Sequence, residues 1–259
     1  MILAASSQAF TAIDITFGSD NDGYGGFGPS AESGTETWTN IAGSVNYSFG
    51  VVDVDEGHTA SLLRQITLDR TVGSSYTVEG VVDLVDGYGD DNNRIGVLLF
   101  NTDATQTSDG GGGLWLRLNT DNSKDITIEP GINGTAIASQ ATGIGNGDDW
   151  IGQTLTYTAD LSFIDVSGTD SIDISFTLSS SSLGEWSTNA VVDAADYTGD
   201  YFGFATKWRQ RGDNGSNRNV PAEMDYQSFS VIPEPATLGT LAFMGVLVLL
   251  HCQRKRKMD

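Results

Sequence analysis

Cysteine and histidine are nearly missing from this sequence. Its single cysteine is Cys252, and its two histidines are His58 and His251. The chain before residue 232 therefore has no disulfide, no thiol nucleophile and no cysteine-based zinc site. A triad or a metal site built on histidine would need partners that the chain mostly lacks. A large core or bound ions must supply the stability of the folded part.

Basic residues are also scarce. The chain has 13 Lys and Arg against 34 Asp and Glu, a formal charge of −21. Four of the basic residues and two of the acidic ones lie after residue 232, so residues 1–232 carry a charge of −23. Such a surface repels phosphate backbones, which excludes nucleic acid as a partner. It suits a secreted protein or one that gathers divalent cations.

Helical periodicity is nearly absent before residue 233, whereas strand alternation is common. Apolar residues alternate with polar ones in 76–84, 114–118, 155–163 and 172–178, and the run 94–100 is almost continuously apolar. The connections are rich in Gly, Asp, Asn and Ser, as turns require. Many strands without crossover helices predict two antiparallel sheets packed face to face.

The C-terminal tail, residues 232–259, has a different composition. Pro233-Glu234-Pro235 precedes an uncharged apolar run at 236–252, and the basic cluster 254–257 follows it. A membrane helix needs about 20 apolar residues and at least roughly 17, and the run is apolar on all sides. We therefore predict one C-terminal transmembrane helix. The basic cluster should stay in the cytoplasm, which leaves everything before Pro233 outside.

This order of motif, span and basic end resembles the PEP-CTERM sorting signal of Gram-negative bacteria that produce exopolysaccharide. The resemblance implies that a membrane exosortase recognises Pro233, Glu234 and Pro235 and that the ectodomain passes to the cell surface or the extracellular matrix. It implies an inner-membrane intermediate held by a cytoplasmic stop. The residues of that stop are Arg254, Lys255, Arg256 and Lys257. A permanent anchor without processing remains an alternative.

Residues 1–13 have two interpretations. Export needs a signal peptide with a basic start and an apolar stretch of about 7–15 residues, and this segment has neither. Ser7-Gln8-Ala9 does place small residues where a signal peptidase cleaves. The segment is thus either the end of a signal peptide or an N-terminal extension.

A second resemblance covers most of residues 14–231, which we predict to be a single β-sandwich ectodomain. The segments 76–80, 93–100 and 113–118, with the closing pair 201–205 and 224–231, are similar to the concanavalin A-like or laminin-G-like jelly rolls of bacterial surface proteins. The resemblance implies an all-β, two-sheet antiparallel jelly roll. This fold carries lectins, glycosidases and inert spacers alike.

A catalytic site is not predicted. One jelly-roll glycosidase family places its carboxylates as Glu-x-Asp-x-x-Glu, and this chain has Glu223-Met224-Asp225-Tyr226-Gln227-Ser228. Ser228 stands where the acid/base belongs. We also expect this segment, as the last strand, to lie away from the middle of a concave sheet. A hydrolase with two paired carboxylates on that sheet is the alternative function.

Two acidic loops are candidates for a structural Ca²⁺, which prefers six to eight oxygen ligands. No EF-hand loop is present, and the same residues are ordinary turn formers, so no cofactor is required. The candidate ligands are Asp20, Asn21, Asp22, Asp86, Asp90 and Asp91.

Aromatic side chains could stack on sugars, and the candidates are Trp115, Trp150 and Trp208. Arg209 lies in a basic-aromatic patch with Trp208, which could contact an acidic polysaccharide or form internal ion pairs. Packing inside the sandwich is the alternative for each ring. The sequence therefore predicts an exported, non-catalytic surface or matrix protein, with exosortase, the membrane and an extracellular polysaccharide as partners.

Overall fold

The computed structural model describes residues 13–16, 39–40, 45–48, 51–54, 59–86, 94–102, 112–119, 124–131, 134–145, 147–207 and 222–234. Only the backbone is described up to residue 62 and at 85–86, 147–148, 206–207 and 222–225. The predicted membrane span and its basic end lie outside these residues. Within them, no helix has both the length and the apolar character to cross a membrane.

The described residues form fifteen strands in two sheets, with two short 3-10 helices at Gly147–Trp150 and Ala194–Asp196. Numbering follows chain order. The eight-stranded sheet contains β1 (Ile13–Thr16), β3 (Val45–Ser48), β4 (Val51–Val54), β6 (Ser75–Asp86), β11 (Thr154–Val166), β12 (Thr169–Ser180), β13 (Gly184–Asp193) and β15 (Ala222–Pro233). The seven-stranded sheet contains β2 (Thr39–Asn40), β5 (Thr59–Gln65), β7 (Arg94–Asn101), β8 (Leu114–Asn119), β9 (Asp125–Pro130), β10 (Ala138–Ala141) and β14 (Tyr201–Lys207).

The strand order is β13-β12-β11-β6-β15-β4-β3 in the eight-stranded sheet, where β1 also pairs with β15, and β10-β9-β8-β7-β14-β5-β2 in the seven-stranded sheet. The pairings are antiparallel. This confirms the predicted all-β sandwich of two antiparallel sheets. The last described strand, β15, lies inside the eight-stranded sheet, between β6 and β4. A strand's position in the chain does not fix its position in a sheet.

The two sheets differ in how their faces are buried. In β11 buried and more exposed residues alternate, so one face packs inward and the other faces solvent. In β7 and β8 nearly every residue is buried, so both faces are covered, as the apolar run 94–100 predicted. The seven-stranded sheet is therefore the one whose outer face can hold a buried site.

Phe204 joins the two sheets at the centre of the core. Its ring stacks on Tyr226 with centroids 4.3 Å apart and meets Phe229 edge-on at 5.6 Å, both on β15 of the opposite sheet. Gly80 makes room for the ring, since a Cβ there would lie 2.7 Å from Phe204 Cε1. The close approach of the sheets at this point depends on a residue without a side chain.

We expect Phe204→Ala to destabilise the protein by about 3–5 kcal/mol, because a buried aromatic is lost and a cavity remains. Val191, 51% exposed on β13, supplies the control, and Val191→Ala should cost less than about 1 kcal/mol. Chemical denaturation of the full-length chain measures both. Equal losses from the two substitutions would contradict the central place given to Phe204.

Candidate functional site

The candidate site lies on the outer face of the seven-stranded sheet. Ile95, Val97 and Leu99 of β7 belong to the main core, whereas Leu98 belongs to a second apolar cluster with Leu63, Trp115 and Ala205, against which Tyr201 packs. Successive strand residues point to opposite faces. The second cluster therefore marks the outer face, and Arg94, Gly96 and Leu98 share it.

Strand register brings four polar or aromatic residues together on that face. Trp115 of β8 lies opposite Glu129 of β9, and Arg117 lies opposite Thr127. All four are buried, with 0%, 1%, 5% and 2% of their surface exposed, respectively. We call Trp115, Arg117, Thr127 and Glu129 the outer-face cluster.

A bidentate ion pair forms the base of this cluster. Arg117 Nε donates to Glu129 Oε1 and Arg117 Nη2 donates to Glu129 Oε2, each at 2.7 Å. The guanidinium also lies over the Trp115 ring, with Cζ 5.5 Å from its centroid. Two parallel hydrogen bonds are the strong geometry for an Arg–carboxylate pair. Because the two side chains carry opposite charges, the pair is neutral as a whole.

Three polar atoms of the cluster have no hydrogen-bond partner among the residues that the structure describes, although each is buried. They are Trp115 Nε1, Arg117 Nη1 and Thr127 Oγ1. An unsatisfied buried polar atom costs about 1–3 kcal/mol, so three of them on one face call for an explanation. The cluster offers two N–H donors and one hydroxyl.

The closeness of β7 to β8 holds the cluster in place. Gly96 lies opposite Arg117, and a Cβ at Gly96 would lie 2.6 Å from Arg117 Cα. A glycine here lets the two strands approach without a side chain between them. This glycine is a positioning element of the site.

The outer face does not carry a carboxylate pair on its described strands. Asp125 and Glu129 are four residues apart on β9, about 13 Å at the usual strand rise, and β2, β5, β7, β8, β10 and β14 contain no acidic residue. Hydrolysis needs about 5–9.5 Å between carboxyl groups. Both oxygens of Glu129 are also engaged by Arg117.

Two of the predicted stacking residues are buried in the structure rather than exposed to solvent. Trp115 and Trp150 are 0% exposed, so neither ring presents a face to a sugar in solution. Trp150 packs against Trp186 at 5.3 Å, and Trp186 Nε1 donates to the Thr142 carbonyl at 2.8 Å. Trp115 enters the candidate site through its N–H rather than its ring face. Trp208 and Arg209 lie outside the described residues.

The predicted Ca²⁺ loops remain a prediction. Asp20, Asn21, Asp22, Asp90 and Asp91 lie outside the described residues, and only the backbone of Asp86 is described, at the end of β6. In the part of the chain that the structure describes, no three His, Cys, Asp or Glu side chains are grouped as metal ligands.

The predicted sorting motif begins inside the folded sheet. Pro233 is the last residue of β15 and lies opposite Tyr76 of β6. Glu234 N donates to the Ser75 carbonyl at 2.9 Å, and Thr77 Oγ1 donates to Glu234 Oε1 at 2.8 Å. The sandwich thus extends past the predicted boundary at residue 231. Pro235 and the basic stop lie beyond the described residues.

Three groups away from the cluster have shifted pKa values. Burial raises the pKa of the Tyr76 hydroxyl, partly opposed by its hydrogen bond with the Asp69 backbone, and burial also raises the pKa of Tyr197, with Asp196 adding to the effect. Burial lowers the pKa of the Arg64 guanidinium. Each shift reflects exclusion of charge from the packed sandwich.

Solved structures that are similar in fold include several lectins. The chain is similar to basic winged bean lectin with Tn-antigen (TM-score 0.55, 13% identity, 86% of this chain and 99% of that one). It is also similar to peanut lectin with a 9mer peptide (0.53, 13%, 86% and 98%) and to the lectin from Bauhinia forficata in complex with GalNAc (0.51, 12%, 88% and 100%). At this identity the likeness shows the fold alone, and it confirms the predicted concanavalin A-like jelly roll.

No protein-family model and no curated protein matches the sequence.

Sequence reasoning missed Arg117, Thr127 and Glu129, although the signal was present. Arg117 alternates with Leu116 and Leu118 in a predicted strand, and Thr127 and Glu129 alternate with two isoleucines in the next. Charged residues in strands with two covered faces indicate a buried pair. The register that brings them together is visible only in the folded sheet.

We expect Glu129→Gln to destabilise the protein by about 3–5 kcal/mol, because it leaves the buried Arg117 guanidinium without a counter-charge. The double substitution Arg117→Met with Glu129→Leu should recover most of that loss, since it removes both charges. Chemical denaturation gives the free energies of unfolding.

Glu185→Gln on the exposed surface of β13 is the matched control, with an expected change within about 0.5 kcal/mol. A double variant that is less stable than Glu129→Gln would show that packing, rather than the unpaired charge, dominates the loss.

Proposed function

We propose that this chain is an exported surface or matrix protein whose β-sandwich binds carbohydrate without catalysis. The observation that carries the proposal is the outer-face cluster, with its three buried and unpartnered polar atoms. A bound polar group would satisfy them and offset the cost of burying them. The lectin-type fold supports carbohydrate as the class of ligand, and one of the similar structures is a lectin in complex with GalNAc.

The cluster suits sugar oxygens. A hydroxyl or carbonyl oxygen accepts from Trp115 Nε1 and Arg117 Nη1, and Thr127 Oγ1 supplies a third hydrogen bond. Since Glu129 holds the other side of the guanidinium, the Arg117 fork is fixed before a ligand arrives. Preorganised polar groups lower the entropic cost of binding.

A polysaccharide hydrolase on the same fold is the alternative function. It needs a second carboxylate near Glu129 and a Glu129 that is free to react. The spacing on β9 and the ion pair with Arg117 favour the binding function over the hydrolase.

We also propose that the tail sorts the protein. The apolar run 236–252 would halt in the inner membrane with Arg254–Lys257 in the cytoplasm, because basic residues resist transfer. Pro233-Glu234-Pro235 would then lie at the outer interface, where an exosortase acts. The motif begins where β15 ends, so a tail held in the membrane would keep the sandwich close to the outer interface.

The binding proposal predicts that the full-length chain binds sugars on a glycan array. Trp115→Phe and Thr127→Val should each weaken binding about fivefold, since each removes one hydrogen bond. Trp150→Phe removes an equally buried indole N–H at another site and should leave binding unchanged. Assaying released reducing ends on bound glycans tests the hydrolase.

Absence of binding to every glycan, with and without EDTA, would overturn the proposal. Loss of binding in EDTA alone would indicate that the predicted Ca²⁺ loops form the site instead of the outer-face cluster.

The sorting proposal predicts that neutral residues in place of Arg254–Lys257 disturb orientation and retention in the native host. Fractionation and protease treatment of intact cells measure both. Exchanging lysine for arginine and arginine for lysine within the same four positions preserves the charge and should preserve sorting. Normal sorting of the neutral variant would contradict the tail model.

A further inference from the structure

The sandwich holds the middle residue of the proposed sorting motif where β15 ends beside β6. Glu234 N donates to the Ser75 carbonyl at 2.9 Å, and Thr77 Oγ1 lies 2.8 Å from Glu234 Oε1. The described part of β1 pairs with β15 as far as Val231, so beyond that residue β6 is the neighbour that the described strands provide. We call Ser75, Thr77 and Glu234 the terminal rung.

The two sides of the terminal rung are held with different firmness. β6 lies between β11 and β15. Its Tyr76 is 3% exposed and meets Phe163 of β11 edge-on, with ring centroids 6.3 Å apart. Glu234 is exposed and is the last residue that the structure describes. When the rung opens, Glu234 therefore moves away and β6 stays in place.

The Thr77 hydroxyl lies between two carboxylates. Asp160 of β11 is directly opposite Thr77, and Thr77 Oγ1 is 2.7 Å from Asp160 Oδ1 as well as 2.8 Å from Glu234 Oε1. A hydroxyl has one proton to donate. When both carboxylates are ionised, one of them accepts that proton and the other faces a lone pair of the same oxygen. The two contacts therefore compete.

The charges around the rung do not relieve this competition. Glu79 lies two residues from Thr77 on the same face of β6, and the strands of the eight-stranded sheet contain no Lys or Arg. Like charges at this range repel each other. Asp160 lies within a strand that pairs with β6 on one side and β12 on the other. Glu234, at the end of β15, is therefore the carboxylate that gives way.

We propose that Asp160 keeps the terminal rung weak by competing with Glu234 for the proton of Thr77. Asp160 is thus a positioning residue, which acts on the motif through the Thr77 hydroxyl. Its importance for the cell rests on the proposed sorting function. The backbone hydrogen bond to Ser75 keeps the motif on the sandwich, and the competition lets a membrane enzyme detach it easily.

Hydrogen exchange of the Glu234 amide in the full-length protein, held in detergent micelles, measures how often the rung opens. Pro233 and Pro235 have no N–H, so this amide is the only one in the motif, and NMR with selective isotope labelling of glutamate resolves it. Asp160→Asn should slow its exchange about fivefold, because a neutral amide accepts more weakly than a carboxylate and the Thr77 proton passes to Glu234.

The matched control is Asp173→Asn, which removes one carboxylate from the same face of the sheet, on β12 opposite Ser162. It should change the exchange rate by less than about twofold, because salt screens exposed charges at a distance. Thr77→Val removes the shared hydroxyl and should speed the exchange about threefold. In the Thr77→Val background Asp160→Asn should have little effect, since no proton remains to compete for.

Two results would overturn the competition. Equal slowing by Asp160→Asn and Asp173→Asn would assign the effect to the charge of the whole face. Slowing by Asp160→Asn that persists in the Thr77→Val background would show that the hydroxyl is not what the carboxylates share. A Glu234 amide that exchanges in the unmodified protein as fast as in an unfolded peptide would overturn the terminal rung itself.

Processing of the tail in the native host is a separate readout. Asp160→Asn should slow it and Thr77→Val should hasten it. If the tail stays unprocessed in every chain, the unmodified one included, the proposed sorting fails, whereas the exchange rates still decide whether the competition exists. If the exchange rates change as expected and processing does not, the role of the rung in sorting is overturned.

Discussion

The side-chain alternation of β7, β8 and β9 is the constraint on which the candidate site depends. In these strands one face supplies the core with Val97, Leu116 and Ile128, and the other supplies the outer-face cluster. Because a shift of one residue would exchange the two faces, the packing that selects the core also fixes the Arg117–Glu129 pair. The site is thus held by the same register that stabilises the sandwich.

Side-chain packing has to stabilise this fold, because the chain has only one cysteine and a large excess of acidic residues that repel each other. The acidic residues are unevenly placed. The strands of the eight-stranded sheet contain no basic residue, whereas those of the seven-stranded sheet contain four. Acidic residues in the first sheet are Asp14, Asp53, Glu79, Asp83, Asp86, Asp160, Asp165, Asp170, Asp173, Glu185, Asp193, Glu223 and Asp225; the second has Asp125 and Glu129 with Arg64, Arg94, Arg117 and Lys207. Most acidic residues of the strands therefore lie in the eight-stranded sheet, which has a solvent-facing side. Few lie in the seven-stranded sheet, where both faces are buried and unpaired charges would be costly.

Period-two patterns predicted the strands that alternate cleanly, such as β11 and β12, and a nearly continuous apolar run predicted the doubly buried strand β7. They did not single out β13, where Glu185-Trp186-Ser187 is only partly apolar because β13 has β12 as its one partner. These patterns also do not show which strands pair with each other. β15 closes the chain yet pairs with β6, β4 and β1, since antiparallel sandwiches bring distant segments together. For the same reason only part of the candidate site could be predicted from the sequence. Trp115 was a candidate residue, but Glu129, which lies opposite it on β9, could be found only from the strand register.

The first and last described strands of the sandwich pair with each other, and this bears on the proposed sorting of the tail. Ile13 of β1 pairs with Val231, and Pro233 pairs with Tyr76. The hydrogen bonds of Glu234 with Ser75 and Thr77 extend the folded part into the proposed sorting motif. If an exosortase cleaves near this motif, as proposed, it would have to bind a segment held at a sheet end, and that segment would have to separate from β6 first. Strand ends open more readily than strand centres, so the proposed release of the motif would be local and would leave the core of the sandwich intact.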